Sequence, residues 1–272
     1  MELKEYLKNK IPENNLKYLP NSFDIIGQIC IIELKDEVKK YSRLIGNEIL
    51  KLNPNLKSVF KKSSVVKGKY RTHKLTCIAG INNKETIYKE NKAILKLNVG
   101  KCYFSPRLSN ERLRIAKLIK KNESVLVMFS GIGVYNFVIL KNSSPKEVYG
   151  IEINKTAHKY ALENGKLNKI SESKIKLYNG DVKKILPKLN KKFDRIIMPL
   201  PHESFNYLGL ALKKLNKNGI VHLYTFLEEE EENEIKKKIS KYTKKFKIQK
   251  FVKAGVYGPR INRICVDIKI LK

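Results

Sequence analysis

The segment Val125-Leu-Val-Met-Phe-Ser-Gly-Ile-Gly133 decides the fold class. It is an apolar strand that runs into a Gly-x-Gly turn, and a helical pattern follows over residues 134–141. Glycine allows a sharp turn and lets a ligand approach the backbone closely. Strand, glycine turn and helix in this order predict the first βα unit of an α/β sheet that binds a ligand at the turn.

The chain differs in its periodicity on the two sides of residue 105. After it, apolar strands alternate with helical patterns, which predicts βαβ units and a mostly parallel, doubly wound sheet. Near the end, strand-like stretches at 246–252 and 263–271 have no helix between them, so we expect a terminal hairpin and a mixed sheet. Before residue 105, strand-like apolar stretches at 23–34, 58–66, 70–80 and 85–101 outnumber the one helix predicted, at residues 37–52. We therefore predict a small α+β domain at 1–104 and a Rossmann-like domain at 105–272.

Two acidic residues follow the next strands of the pattern. Glu152 lies 19 residues after Gly133, where a carboxylate can bind both hydroxyls of a ribose. Asp181 follows the third strand, where it can accept a hydrogen bond from an adenine amino group. Asn136 stands where the dinucleotide fingerprint has its third glycine, which argues against NAD. We predict S-adenosylmethionine as the cofactor; the alternative is that both acids are solvated strand ends.

Composition limits the class of partner. The chain has 57 Lys and Arg against 26 Asp and Glu, a net charge of +31, and 42% of its residues are hydrophobic. Such a protein can build a core, but its surface repels itself unless the partner is a polyanion. We find no apolar run of membrane-spanning length, no signal peptide pattern and no Cys or His cluster with metal-ligand spacing. The expectation is a reduced, cytoplasmic protein that binds nucleic acid and holds no metal.

Several motifs resemble the archaeal and eukaryotic tRNA (guanine-37 N1)-methyltransferases, over nearly the whole chain. The most specific is Ser-Pro-Arg-Leu-x-x-Glu-Arg, within Tyr103-Phe-Ser-Pro-Arg-Leu-Ser-Asn-Glu-Arg112. The other matching stretches are Ser22-Phe-Asp-Ile-Ile-Gly27, Glu85-Thr-Ile-Tyr-Lys-Glu-Asn91, Met128-Phe-Ser-Gly-Ile-Gly133, Met198-Pro-Leu-Pro-His202 and Gly219-Ile-Val-His222. The resemblance implies a class I S-adenosylmethionine methyltransferase sheet preceded by a small RNA-binding domain.

The resemblance also implies roles for individual residues. Glu111 matches the family's general base, because guanine N1 must lose a proton before it can attack a methyl group. Arg71 matches an arginine that steadies the guanine oxygen, and Tyr103 a tyrosine that packs near the base. The implied cofactor site is Arg112, Phe129, Gly131, Gly133, Glu152, Ile153, Asp181, Val182 and Pro199. Taken without the family, Glu111 and Arg107 form a surface helix pair, and Arg71 contacts phosphate.

Three departures from the family pattern affect the expected activity. Pro199 stands where the guanine-37 enzymes have Asn, and it resembles the archaeal bifunctional subfamily that also methylates C7 of 4-demethylwyosine. Val127 stands where the family has Asp, which affects the contacts expected at the methionine end of the cofactor. The chain begins near the Ser22–Gly27 motif, so we expect the small N-terminal domain of many relatives to be absent.

The expected partner is tRNA, bound through its anticodon stem-loop, with tRNA-Phe as the species that carries wyosine derivatives. No membrane, DNA or obligate protein partner is expected. Two alternatives remain open at this point. One is transfer of the aminocarboxypropyl group of S-adenosylmethionine, as in a related wybutosine-pathway enzyme. The other is a tRNA-binding relative without catalytic activity.

Overall fold

The structure, a computed structural model, describes residues 3–63, 72–228, 232–258 and 260–271. The chain divides into two compact units. The first comprises Met1–Lys89 and Ile94–Pro106, and the second comprises Glu90–Ala93 and Arg107–Lys272. Within the described ranges, no helix is both long enough and apolar enough to cross a membrane.

The first unit contains two small sheets and short helices. Its elements are α1 (Leu3–Leu7), α2 (Glu13–Leu16), β1 (Asp24–Ile26), β2 (Ile29–Ile32), α3 (Ser42–Leu52), β3 (Ser58–Lys62), β4 (Leu75–Gly80), β5 (Glu85–Glu90) and β6 (Ala93–Asn98). Strands β1 to β4 form one sheet in sequence order, in which only β2 and β3 run parallel, and β5 pairs with β6. Buried side chains such as Leu7, Ile45 and Val59 join α1, α3 and the larger sheet into one core.

Two local details of this unit differ from the sequence prediction. The helix predicted at 37–52 ends at Leu52, but its first part, Asp36–Tyr41, is a 3₁₀ helix. The apolar stretch that begins at Phe23 is a hairpin, because the chain turns between Ile26 and Ile29. Both differences involve the geometry of single turns, which hydrophobic periodicity does not resolve.

The second unit follows the predicted alternation of strands and helices. Its elements are α4 (Ser109–Leu118), β7 (Ser124–Met128), α5 (Val134–Asn142), β8 (Glu147–Glu152), α6 (Lys155–Leu167), β9 (Ile175–Asn179), α7 (Val182–Ile185), β10 (Phe193–Met198), α8 (Phe205–Lys213), β11 (Leu215–Glu228), α9 (Glu232–Ser240), β12 (Phe246–Gly258) and β13 (Ile261–Ile270). Buried residues such as Leu126, Ile196 and Leu208 form its core.

One seven-stranded sheet organises this unit, in the order β12-β13-β11-β10-β7-β8-β9. Strands β11, β10, β7, β8 and β9 are parallel, whereas β13 is antiparallel to both β11 and β12. The predicted α/β class and the mixed sheet are thus confirmed. The strand order reverses between β7 and β10, and ligands of open α/β sheets bind beyond the carboxyl ends of the strands at such a point.

Strand β12 forms one edge of this sheet. Its pairing with β13 shifts register at three places, between Ile248 and Lys250, Lys253 and Gly255, and Val256 and Gly258. Lys247, Lys250 and Lys253 are exposed on this strand.

Gly133 and Gly165 lie beside the same aromatic ring, and comparing them tests whether the turn requires glycine at position 133. Gly133 has φ 80°, and a Cβ at this position would lie 2.5 Å from Cε2 of the buried Phe137 ring, whereas Gly165, inside α6, has 4.0 Å to Cε1 of that ring. Gly133→Ala is expected to lower the free energy of unfolding by about 2–3 kcal/mol, through the left-handed backbone and the overpacking. Gly165→Ala is expected to raise it by up to about 1 kcal/mol. Urea denaturation measures both, and equal effects would contradict this account of Gly133.

Candidate active site

The glycine turn after β7 has an unusual backbone. Phe129, Gly131 and Gly133 have φ angles of 58°, 57° and 80°. The N–H groups of Ser130 and Gly133 bind within the chain, to the carbonyls of Ile151 and Ser130, which fixes the shape of the turn. No neighbouring part of the described chain lies within 4 Å of the place where a Cβ on Gly131 would stand, so a ligand can approach the backbone there. A positive φ at a phenylalanine is a strained conformation of the kind that occurs at functional sites.

Glu152 joins the ends of β7 and β8. Its Oε2 accepts the N–H of Gly131 at 2.7 Å, and its Oε1 accepts the N–H of Asn154 at 2.7 Å. Burial raises the pKa of this carboxyl group, and the backbone N–H groups partly offset that effect. A carboxylate has about four acceptor sites, so both oxygens can still accept from ribose hydroxyls. Glu152 therefore fixes the glycine turn and fits a nucleoside.

Asp181 and Pro199 lie at the ends of the two other parallel strands that border this edge. Asp181 caps α7, because its Oδ1 accepts the N–H of Lys183 at 2.9 Å. Pro199 is half-buried directly after β10, and the loop that it begins is braced by Ser204, whose hydroxyl donates to the carbonyls of Met198 and Leu200. The donors and acceptors at these four strand ends fit S-adenosylmethionine.

Apolar and aromatic side chains lie at the strand ends around the turn. Ile153 is half-buried and Val182 is buried, so both can offer apolar contacts. Tyr207, on α8, is a residue that the sequence did not indicate; its ring packs edge-on against Phe129, with centroids 4.8 Å apart. Lys183 Nζ lies 5.2 Å from the Tyr207 centroid. Together Phe129 and Tyr207 form an aromatic wall beside the predicted adenine position.

Glu111 lies on α4, and its buried side chain is held by several hydrogen bonds. Arg114 donates through Nε to Oε2 at 2.7 Å and through Nη2 to Oε1 at 2.8 Å. The Tyr224 hydroxyl donates to Oε1 at 2.7 Å. The surface pair with Arg107 is therefore not the arrangement that the structure has, because Glu111 is only 6% exposed and its cation is Arg114.

The sheet register brings Glu111 to the cofactor edge. Leu223 pairs with Met198, the last residue of β10, so Tyr224 stands level with Pro199. Because Glu111 accepts a hydrogen bond from Tyr224, its carboxylate belongs to the same carboxyl edge of the sheet as the glycine turn and the Pro199 loop. A proton acceptor and the predicted nucleoside site therefore lie at the same edge of the sheet in the second unit.

The contacts of Glu111 continue into the interior. Arg114 also binds Asp267 on β13, whose Oδ1 contacts Nδ1 of His222 at 2.5 Å. Nε2 of His222 contacts Nη1 of Arg195 at 2.8 Å, and Arg195 binds Glu123. None of these partners was predicted as a site residue. The sequence offers two signals for them: the spacing of Glu111 and Arg114 places both on one helix face, and His222 ends the Gly219–His222 motif.

His222 and Asp267, together with the nearby Cys265, have the composition of a metal site. Ligand atoms of His222, Cys265 and Asp267 lie within 4.8 Å of one another. Asp267 is already bound by Arg114, however, and His222 by Arg195, so guanidinium groups occupy the positions next to the trio. Their positive charge disfavours a cation and favours a hydrogen-bond network.

Arg112 is placed differently from Glu111, although it is its neighbour in sequence. It is 2% exposed, and its Nε and Nη2 bind the two carboxylate oxygens of Glu90. Such a bidentate pair fixes both side chains. Arg112 is thus held at the end of β5 by its pair with Glu90.

The sequence also indicated Arg71, Tyr103, Val127 and Asn136. Arg71 lies outside the described residues. Tyr103 belongs to the first unit, and its side chain is 45% exposed. Val127 is fully buried in the middle of β7, where it pairs with Gly150 of β8, so an apolar side chain suits the position. Asn136 is fully buried in α5, and its Nδ2 donates to the Tyr149 carbonyl.

Two protein-family models match the chain. The TRM5/TYW2 methyltransferase domain matches residues 86–251, and the TYW2 N-terminal domain matches residues 3–84.

Individual relatives are similar over most of their length. The tRNA (guanine(37)-N(1))-methyltransferase Trm5b of Pyrococcus abyssi is 38% identical over 265 residues, which cover 96% of this chain and 78% of the relative. The tRNA (guanine(37)-N(1))/4-demethylwyosine(37)-methyltransferase Taw22 of Nanoarchaeum equitans is 32% identical, over 92% of this chain and all of the relative.

Solved structures agree with these matches. A Trm5 in complex with tRNALeu superposes with a TM-score of 0.88 at 31% identity, over 99% of this chain and 78% of the other. TYW2 of Methanocaldococcus jannaschii in complex with AdoMet has a TM-score of 0.69 at 25% identity, over 92% of this chain and all of the other. This chain therefore belongs to the TRM5/TYW2 family of S-adenosylmethionine-dependent tRNA methyltransferases.

Proposed function

We propose that this chain transfers the methyl group of S-adenosylmethionine to N1 of guanosine 37 in tRNA and, in a second reaction, to C7 of 4-demethylwyosine at the same position. The observation that carries the proposal is the position of Glu111, a buried carboxylate at the same sheet edge as the glycine turn. The P. abyssi relative is named for the first reaction, and the N. equitans relative is named for both.

The proposed mechanism assigns one proton transfer to the chain. S-adenosylmethionine, when bound, supplies a methyl group already activated by its sulfonium. Glu111 would accept the N1 proton of guanine, and the freed N1 lone pair would take up the methyl group, with S-adenosylhomocysteine as the leaving group. Negative charge that builds on the guanine oxygen needs a cation, which is the role proposed for Arg71. Tyr103 is proposed to pack against the base, and the remaining rate comes from alignment.

The cofactor is proposed to contact the residues at the ends of β7 to β10. Phe129, Gly131 and Gly133 offer the turn, and Glu152 the ribose contact. Ile153, Asp181, Val182 and Pro199 complete the proposed contacts on the adenosine and methyl sides. Arg112 is proposed to stabilise the site through Glu90 rather than to touch the cofactor, because its bidentate pair already engages Nε and Nη2.

The tRNA is proposed to bind through its anticodon stem-loop, with tRNA-Phe as the substrate of the C7 reaction. The domain at residues 1–104 is proposed to contribute to this binding. A net charge of +31 supplies phosphate contacts, which position the RNA and weaken with salt. Phosphate contacts cannot select one guanosine, so selection requires the base to leave its stack and enter the pocket.

The test uses purified protein and two substrates, tRNA-Phe with an unmodified guanosine 37 and tRNA-Phe that carries 4-demethylwyosine. Mass spectrometry of the digested tRNA should show a gain of about 14 Da on each, whereas aminocarboxypropyl transfer would add about 101 Da. A tRNA-binding relative without activity would bind the tRNA and leave its mass unchanged. Either of these outcomes rejects the proposed reaction.

Replacing the proposed base tests its role directly. Glu111→Gln keeps the size of the side chain and removes its ability to accept the proton. We expect kcat for N1 methylation to fall by about 10²- to 10⁴-fold, the usual contribution of a general base. Calorimetric binding of S-adenosylmethionine should be unchanged. Wild-type kcat in a folded variant would rule out Glu111 as the base.

Pro199 is the residue by which the two proposed reactions can be separated. Pro199→Asn introduces the side-chain amide of the guanine-37 enzymes at the end of β10. We expect the C7 reaction to fall markedly while N1 methylation is largely retained, as measured on the two tRNA substrates in parallel. Pro187→Asn, in the 3₁₀ segment Leu186–Lys188, is the matched control and should leave the ratio of the two rates unchanged. Undiminished C7 methylation in Pro199→Asn would contradict this role for Pro199.

A further inference from the structure

The hydrogen bonds of Glu111 are distributed unequally over its two oxygens. Oε1 accepts from both Tyr224 and Arg114, whereas Oε2 accepts from Arg114 alone. Since each carboxylate oxygen has two lone-pair sites, the contacts within the described chain leave one of them open, on Oε2. The network thus distinguishes the two oxygens of an otherwise symmetric group.

Arg114 is held from its other side. Its Nη1 donates to Asp267 Oδ2 at 2.7 Å, and its Nη2 donates to Asp267 Oδ1 at 3.3 Å, while Nε and Nη2 bind Glu111. One planar guanidinium therefore forms a fork to each of two carboxylates. Because the fork is rigid, the position of Asp267 sets the plane in which the Glu111 carboxylate lies.

His222 fixes Asp267 in turn. His222 and Asp267 are directly paired across β11 and β13. Arginine has no acceptor, so Nε2 of His222 must accept the N–H of Arg195, and Nδ1 must carry the proton that it donates to Asp267. Burial lowers the pKa of His222, which keeps this neutral tautomer. Burial opposes ionisation of Asp267, but the hydrogen bonds from His222 and Arg114 outweigh it and lower its pKa.

We infer that Tyr224 and Arg114 are positioning residues that present Oε2 of Glu111 as the atom that takes the substrate proton. Asp267 and His222 act behind them, because they hold Arg114 in place. This inference rests on the proposed function, because it gives a role to residues that act through Glu111. Beyond that function, one oxygen of Glu111 receives the proton, and four residues to which the family motifs assign no role hold it in place.

Ionisable groups on α4, α5, β11 and β13 surround Glu111. They are Arg114 on α4, Tyr224 on β11, Tyr135 on α5 and Cys265 on β13. Burial raises the pKa of Tyr135, of Tyr224 and of Cys265, so all three keep their protons. Tyr224 therefore stays a donor, and Tyr135 donates to the Tyr224 oxygen at 3.0 Å.

The decisive variant is Tyr224→Phe, which removes one hydroxyl and keeps the buried ring. Its loss leaves the Glu111 carboxylate held by Arg114 alone, so Oε2 should be presented less well to the substrate. We expect kcat for N1 methylation to fall about tenfold, with KM for tRNA and for S-adenosylmethionine unchanged. A purely structural role would instead lower the melting temperature and leave kcat of the folded variant unchanged.

The chain offers a matched control. Tyr149 and Glu147 form another tyrosine–glutamate hydrogen bond, at the amino end of the sheet. Tyr149→Phe should leave kcat and both KM values as in wild type. If Tyr224→Phe folds and also matches wild type, the inference is overturned. Should Tyr224→Phe not fold, Arg114→Lys, which keeps the charge but loses the fork, must show the same loss of kcat, and wild-type kcat there would equally overturn it.

The failure of this inference differs from the failure of the proposed function. If the wild-type protein transfers no methyl group to tRNA, the proposed function fails and the positioning role fails with it. If wild type is active and Glu111→Gln is inactive, but Tyr224→Phe is unaffected, only the positioning role fails. Active wild type with a reduced kcat and unchanged KM values in Tyr224→Phe supports both.

Discussion

A single guanidinium, that of Arg114, connects the parts of the second unit that must act together. It binds Glu111 on its own helix and Asp267 on β13, 153 residues further along the chain. Removing one partner of a buried charge pair leaves the other unpaired, at a cost of about 3–5 kcal/mol. Helix α4 therefore cannot move relative to the antiparallel end of the sheet without separating these charges. The orientation of Glu111 is in this way tied to the stability of the fold.

The fold was predictable where short-range pattern determines structure. The run from Val125 into the Gly-x-Gly turn, and the strand–helix alternation after it, identified β7 to β11 and the helices between them, because burial of alternating elements in one sheet imposes that periodicity. The same reasoning merged β1 and β2, since a two-residue turn hardly interrupts an apolar stretch. It also left α1 and α2 unassigned, because helices of five and four residues carry too few periods to recognise.

Some parts of the candidate site could be predicted from the sequence, and others could not. The glycine turn, Glu152 and Asp181 lie at strand ends, so their positions follow from the predicted topology. Nothing local indicates that Phe129 adopts a left-handed backbone or that Tyr207 packs against it, because both depend on neighbours distant in sequence. Glu111 was identified through a family motif, and its buried partners only through the register of β11 and β13. Spacing showed which residues share an edge, but three-dimensional pairing decides which atom of Glu111 faces the substrate.

The edge strand β12 has a consequence for the behaviour of the chain at high concentration. A long exposed strand is a template on which a second molecule can add its own strand, and proteins prevent this with charge and irregular geometry. Lys247, Lys250 and Lys253 carry like charges along this edge, and three shifts of register interrupt its run of free backbone groups. The opposite edge, β9, has only five residues. The sheet is therefore protected at both sides against growth into a fibre.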